Sequence, residues 1–256
     1  MAIGISTACY YPLETELALE QVGKSGAKVT EIFFNSPREL KSSFLDILAD
    51  IRDFYGMRVC SVHTFTAAAD SYLFYSNYQR RFEDGLDYLK RFYNAAAELG
   101  AEYVIMHGDK ITGKLPDEEV AEHFMMLENE ANSFGVHVLQ ENVNRYRSAD
   151  PEFIKNLIHN TDGKALFCFD VKQAVRSGHM PYEVLDAMGE NVRHVHLSDH
   201  SAAGDCLLPG KGGFDFNSLF QYLNSIGYRG DYVVEIYNHC YKNTDEIANS
   251  LNFLHL

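Results

Sequence analysis

Six residues able to ligate a metal or move a proton recur at one kind of position in this 256-residue chain. His63, His107, Glu141, Asp170, His196 and Glu235 each end a short run rich in β-branched and aromatic residues. Residues 191–200 show the pattern most plainly: valines alternate with His194 and His196, and the run passes into Ser198, Asp199 and His200. Strand side chains alternate between faces, so His194 and His196 share one. A single strand-terminal acid is ordinarily a helix cap or a solvated rim group. Six successive strand ends carrying carboxylate or imidazole are hard to read as six separate caps. Mixed nitrogen and oxygen donors brought to one point make a site for a divalent metal ion of the Mn, Zn, Co or Fe kind.

The elements that must position these residues follow in a regular order. Strands are expected at residues 2–8, 28–34, 57–63, 102–107, 136–141, 165–170, 191–197 and 230–235, each followed by a segment of helical periodicity. Ser36 and Pro37 are read as the cap and first turn of a helix reaching Tyr55, with Gly56 as its stop. Gly100 closes a long helix from about Tyr78, and Asp150 with Pro151 caps another. An irregular loop runs to Asp70, and the aromatic stretch of residues 65–75 reads as a lid or a subunit contact. Regular β-then-α order argues for a parallel sheet with right-handed crossovers. Eight such units at this length fit a single-domain (β/α)8 TIM barrel spanning residues 1–256. An open doubly wound sheet would want phosphate-binding glycines after the first strand, where Ser6, Thr7, Ala8 and Cys9 stand.

Composition narrows the partners. Apolar residues make up 46% of the chain, enough for a large core, and no apolar run reaches the roughly 20 residues of a membrane helix. The N-terminus shows no secretory pattern, and the five cysteines are odd in number and lack paired spacing, so a cytoplasmic protein with reduced thiols is expected. A formal net charge of −14 makes nucleic acid an unexpected partner, because duplex binding draws on basic groups. A small molecule is the expected ligand, and association with further copies of the chain stays open.

The sets Ser61-Val62-His63-Thr64, Met106-His107-Gly108, Leu139-Gln140-Glu141-Asn142, Phe169-Asp170, His194 through Asp199, Pro209 through Phe216 and Val233-Val234-Glu235 resemble the xylose isomerase-like barrel superfamily. That superfamily includes sugar and sugar-phosphate isomerases and 3-epimerases, hydroxypyruvate isomerase, inosose dehydratase and endonuclease IV. The resemblance covers nearly the whole chain. It implies one divalent ion (Mn, Zn, Co or Mg) held by Glu141, Asp170, His196 and Glu235, and a carbohydrate substrate. It also marks departures. The nuclease's third metal site would need a histidine where Gln173 stands and an Asp-x-His pair where Asp205, Cys206 and Leu207 stand. Many family epimerases carry a substrate-holding histidine at the position of Gln173, which here is an amide flanked by Lys172. An amide can donate to a sugar hydroxyl but cannot shuttle protons near neutral pH.

The chemistry implied is proton abstraction next to a carbonyl through an enediolate, with Glu141 and Glu235 as the acid/base pair. A lyase acting on a polyol or inosose would share the first step, and an endonuclease IV-like phosphodiesterase or a non-catalytic barrel are further alternatives. His63 and His107 are read as substrate contacts or as ligands to a second ion. Gln173 and Lys211 are read as further substrate contacts, Lys211 toward a phosphate or simply as a solvated loop lysine. Asp199 and His200 either orient His196 or cap their loop. His123, His159 and His255 read as surface groups, His137 as a hydrogen-bonded core histidine, and Cys168 as a packed thiol.

Overall fold

Eight parallel strands close into a barrel, in a computed structural model that describes residues 1–254; His255 lies outside them. They are β1 (Ile3–Ser6), β2 (Val29–Phe33), β3 (Arg58–His63), β4 (Tyr103–Met106), β5 (His137–Glu141), β6 (Leu166–Asp170), β7 (Val192–Leu197) and β10 (Tyr232–Val234). Going round the ring the order is β1, β10, β7, β6, β5, β4, β3, β2, so chain neighbours are also spatial neighbours. A short antiparallel hairpin, β8 (Asp199–Ser201) with β9 (Gly204–Leu207), stands on the rim after β7. The sequence reading treated that stretch as loop.

The helices wrap the outside: α1 (Thr15–Lys24), α2 (Ser42–Tyr55), α3 (Ala67–Phe74), α4 (Gln79–Leu99), α5 (Asp117–Ser133), α6 (Pro151–Asn160), α7 (Val171–Arg176), α8 (Pro181–Met188), α9 (Phe216–Ser225) and α10 (Asp245–Leu251). Their apolar faces meet the outer face of the strands and form the main core, with Leu19, Leu48, Phe92, Phe124, Ile154 and Leu219 among its buried members. Gly56 and Gly100 end α2 and α4 in the left-handed conformation, as expected of a helix C-terminal glycine. Asp150 caps α6 by accepting from the Glu152 N–H, and Pro151 starts that helix.

Two local expectations fail. Ser36 and Pro37 do not open α2, which begins only at Ser42; the intervening residues form turns. The aromatic stretch of residues 65–75, expected as irregular loop, is mostly helix α3. Phe74 and Tyr75 are buried in the main core, Ser71 donates to the Asp109 carboxylate at 2.6 Å, and Tyr146 donates its hydroxyl to the Ala67 carbonyl at 2.9 Å. Local periodicity could not see this, because α3 is held by groups from the strand-end loops of β4 and β5.

Inside the barrel, apolar packing is confined to two small clusters: Val29, Cys60 and Val233, then Ile105, Leu139 and Cys168. Barrel interiors are ordinarily filled by branched apolar side chains. Here Ser6, Glu31, Ser61 and His194 are buried beside them, so the interior turns polar well below the rim.

Candidate metal centre

The strand C-termini converge as the β/α order requires. Glu141 ends β5, Asp170 ends β6, His196 lies one residue before the end of β7, and Glu235 follows β10 directly. One donor atom from each lies within 4.8 Å of the other three, and all four residues are buried. His196 Nδ1 stands 3.4 Å from Glu141 Oε1 and 3.5 Å from both Asp170 Oδ2 and Glu235 Oε2. Donors about 2.1 Å from a tetrahedral ion stand about 3.4 Å from one another, so this spacing fits one divalent ion.

The other face of His196 carries a residue the sequence reading did not single out. Glu31, in the middle of β2, accepts from His196 Nε2 at 3.0 Å. It also accepts from Ser61 Oγ at 2.8 Å and Ser6 Oγ at 3.0 Å, and His194 Nε2 lies 3.3 Å away. A carboxylate on Nε2 keeps that nitrogen protonated, so that with an ion in the tetrad Nδ1 would offer it a lone pair, which is what a metal-ligating imidazole needs. Burial would raise the Glu31 carboxyl, but the charge and hydrogen bonds of His196 and His194 hold it well below the usual range. Of the two roles offered for Asp199, orienting His196 therefore belongs to Glu31. Asp199 instead accepts four backbone N–H groups, from His200, Gly210, Gly212 and Phe214, at 2.8–3.0 Å, and so ties down the glycine-rich loop. A side chain at Gly212 would run into that carboxylate, its Cβ only 2.3 Å from Asp199 Oδ1.

Asp170 is aligned twice over. Asn142 donates to its carbonyl at 3.0 Å and accepts from its N–H at 2.7 Å, and the Asp170 side chain caps α7 by accepting from the Gln173 N–H. Lys172, on the first turn of α7, is buried and ion-paired with both Asp170 and Glu235. Burial works against its charge, but these carboxylates hold it protonated, well above the usual lysine range. Burial likewise pushes Glu235 up, and Lys172 and His196 bring it below its ordinary value.

A second cluster shares Glu141. Its Oε2 lies 3.1 Å from His107 Nε2 and 3.4 Å from His63 Nε2. His63 Nδ1 donates to the Thr64 carbonyl at 2.9 Å. Burial opposes ionisation of Glu141, but hydrogen bonds from His107, His196 and His63 keep it well below the usual carboxylate range. Both clusters open into a cavity of about 380 Å³ lined also by Tyr11, Phe33, Asn35, Gln173, Ile236 and Tyr237. Gln173 receives the Asn144 N–H on its Oε1 at 3.2 Å, which leaves its NH2 as the end able to donate.

Lys211 is not brought to this cavity; it lines a separate depression with Pro209, Gly210, Glu246 and Phe253, because the Asp199 tether turns its loop outward. Asp205 is likewise engaged elsewhere, in a two-pronged pair with Arg176. His137 is half-exposed and paired with Glu128, not a core histidine. His123 packs against Phe82 and bonds the Phe74 carbonyl, so it is more than a surface group. Cys168 is buried and its thiol is pushed up by burial, as a packing role requires. At the opposite end of the barrel, a wider depression carries Arg58, Glu102, Arg193 and Asp231, and Arg58 pairs with Asp231. Charged pairing at the N-terminal face of such a barrel belongs to stability. Among the described residues, no helix is long and apolar enough to cross a membrane.

Comparison with known proteins agrees with this architecture. An uncharacterized protein of Mycobacterium leprae is 25% identical over 256 residues, covering 91% of this chain and 88% of its own length. The crystal structure of a D-tagatose 3-epimerase-like protein superimposes with a TM-score of 0.78 at 21% identity, covering 98% of this chain and 95% of that one. An IOLI protein crystallised with a zinc atom superimposes with a TM-score of 0.77 at 18% identity, covering 98% and 95%. The family model described as xylose isomerase-like TIM barrel matches residues 19–255, and this chain belongs to that family.

Proposed function

We propose that this chain is a divalent-ion-dependent sugar isomerase or epimerase that moves a proton at the carbon next to a carbonyl. The observation that carries this reading is the tetrad: Glu141, Asp170, His196 and Glu235 meet, buried, beside a cavity sized for a small molecule that Glu141 and Glu235 line, with His196 oriented by Glu31. The likeness to the tagatose epimerase-like structure and to the zinc-bearing IOLI structure supports the class. When bound, the ion supplies Lewis-acid polarisation of a carbonyl and offsets negative charge developing on oxygen.

The chain's own residues supply the rest. Glu141 is kept ionised by three imidazoles and so stands ready as a base. Glu235, three strands round the ring, returns the proton. Return to the same carbon from the opposite face gives epimerisation; return to the neighbouring carbon gives aldose–ketose isomerisation. His63, His107 and the Gln173 NH2 offer hydrogen bonds to hydroxyl groups, while Phe33, Ile236 and Tyr237 give apolar walls that keep bulk water from the enediolate. Lys172 is the sole lysine or arginine among the described residues lining the cavity, and it is engaged by Asp170 and Glu235. A single cation set among the buried carboxylates Glu141, Asp170 and Glu235 is a poor match for a dianionic phosphate, which favours an unphosphorylated ketose over a sugar phosphate.

The test is solvent deuterium incorporation into a panel of ketopentoses, ketohexoses and their phosphates. Wild type should exchange the α-proton of at least one neutral ketose. Glu141→Gln and Glu235→Gln should each slow that exchange by about 100-fold or more, the range expected for loss of a positioned acid or base. Exchange unchanged in both variants would refute the paired-carboxylate scheme.

A further inference from the structure

Lys172 does not fit the role of a bystander to an ion site. It follows Asp170 by two residues, its side chain is 2% exposed, and its ammonium is ion-paired with Asp170 Oδ2 and Glu235 Oε2. Those two oxygens are the same ones that face His196 Nδ1 at 3.5 Å. An ion in the tetrad and the Lys172 ammonium would therefore claim the same two oxygens. Two cations cannot share them at contact distance in a buried site without strong repulsion. Conversely, Glu141, Asp170 and Glu235 are three buried carboxylates, and leaving such a group without a cation is costly.

We infer, resting on the reading of the tetrad as an ion site, that Lys172 is its built-in counter-cation and that ion loading is an exchange in which the ammonium gives up Asp170 and Glu235. Two consequences follow. The chain stays folded when stripped of metal, because the lysine neutralises part of the tetrad's charge. Affinity for the ion is set low, because each binding event must break two buried ion pairs. The cavity is the open side of the exchange: Lys172 already lines it beside Gln173 and Tyr237, with the Tyr237 ring 6.0 Å from its nitrogen. The displaced ammonium then faces the substrate and becomes an additional donor to one of its oxygens, coupling ion loading to substrate recognition.

The experiment compares chelator-stripped wild type, Lys172→Met, Lys172→Gln and Lys172→Arg by titration calorimetry with Mn²⁺ and Zn²⁺ and by thermal melting with and without the ion. Lys172→Met should bind one ion per chain at least tenfold more tightly than wild type. Stripped, it should melt below wild type, and it should gain more on adding the ion, since a ligand that binds only the folded state raises its melting temperature by mass action. Lys172→Gln, which keeps the side chain polar, carries the same comparison if the methionine variant does not fold. Lys172→Arg retains a cation and should stay as weak as wild type. Equal or weaker affinity in the neutral variants, with an ion still bound by all, would overturn the exchange while leaving the tetrad intact. No binding by any of the four proteins would overturn the tetrad itself, and this inference with it.

Discussion

Replacing Glu31 by alanine removes one carboxylate and leaves four donors facing the gap. Ser6 Oγ, Ser61 Oγ and His196 Nε2 donate to it at 3.0, 2.8 and 3.0 Å, and His194 Nε2 lies at 3.3 Å. Ser61 can turn to His194, whose Nε2 is already 3.3 Å from its hydroxyl, so that pair can satisfy itself. Ser6 O–H and His196 Nε2–H cannot. Each buried donor left unpaired costs about 1–3 kcal/mol, so two give about 4 kcal/mol before the relief of no longer burying a carboxylate. A net loss of about 3 kcal/mol corresponds to a fall of roughly 6–12 °C in melting temperature for a chain of this size. Glu31→Gln is the control. Its amide oxygen can keep facing Ser61 and His196 while its NH2 turns to Ser6, so it should lose only about 1 kcal/mol. Ion affinity gives an independent readout: loss of an outer carboxylate on a ligating imidazole costs about 10–100-fold. The alanine variant should lie at the upper end of that range and the glutamine variant at the lower. An alanine variant that melts within about 2 °C of wild type would refute the unpaired-donor reasoning. One that binds the ion as wild type does would refute the orienting role.

Two further outcomes are expected. Cys9 and Cys60 are pushed up to about 12 by burial, Cys206 also to about 12, and Cys168 is raised further, while Cys240 is only partly buried. At pH 8 a maleimide should therefore label the native protein once, at Cys240, and all five cysteines after denaturation; fast labelling of Cys9, Cys60 or Cys168 would contradict the packing. Asp199→Ala strips the acceptor from four backbone N–H groups, so the loop around Gly210 and Gly212 should open; trypsin cleavage after the exposed Lys211 should rise at least several-fold, and an unchanged rate would refute the tether.

Much of the barrel was legible because its signals are local. Glycine and proline punctuation, β-branched runs and helical periodicity lie within a dozen residues of one another, and β-then-α repetition leaves few topologies. His63, His107, Glu141, Asp170, His196 and Glu235 stood out for the same reason: a strand's last inward position is set by counting along that strand, and in a parallel barrel all such positions meet at one rim. What the count cannot supply is who faces whom across the ring. Glu31 and His196 are 165 residues apart, and they meet because the strands' stagger brings the middle of β2 level with the end of β7. A lone glutamate between Thr30 and Ile32 in a strand reads locally as an exposed position; only ring closure turns it inward. Lys172 was visible beside Gln173, but its reach to Glu235 depends on α7 starting at the Asp170 cap and on β10 lying two strands away, beyond β7. For Lys211 and Asp199 the sequence left two roles open, and four backbone hydrogen bonds to one carboxylate decide between them by setting which way the glycine-rich loop turns. The sequence by itself determined the barrel and the six strand ends that carry carboxylate or imidazole, because both follow from short-range order repeated eight times, while the choice of Glu141, Asp170, His196 and Glu235 among them came from the family resemblance. Only the tertiary structure decided which carboxylate orients His196 and which cation sits against Asp170 and Glu235, because those contacts are made across the closed ring, where no local period reaches.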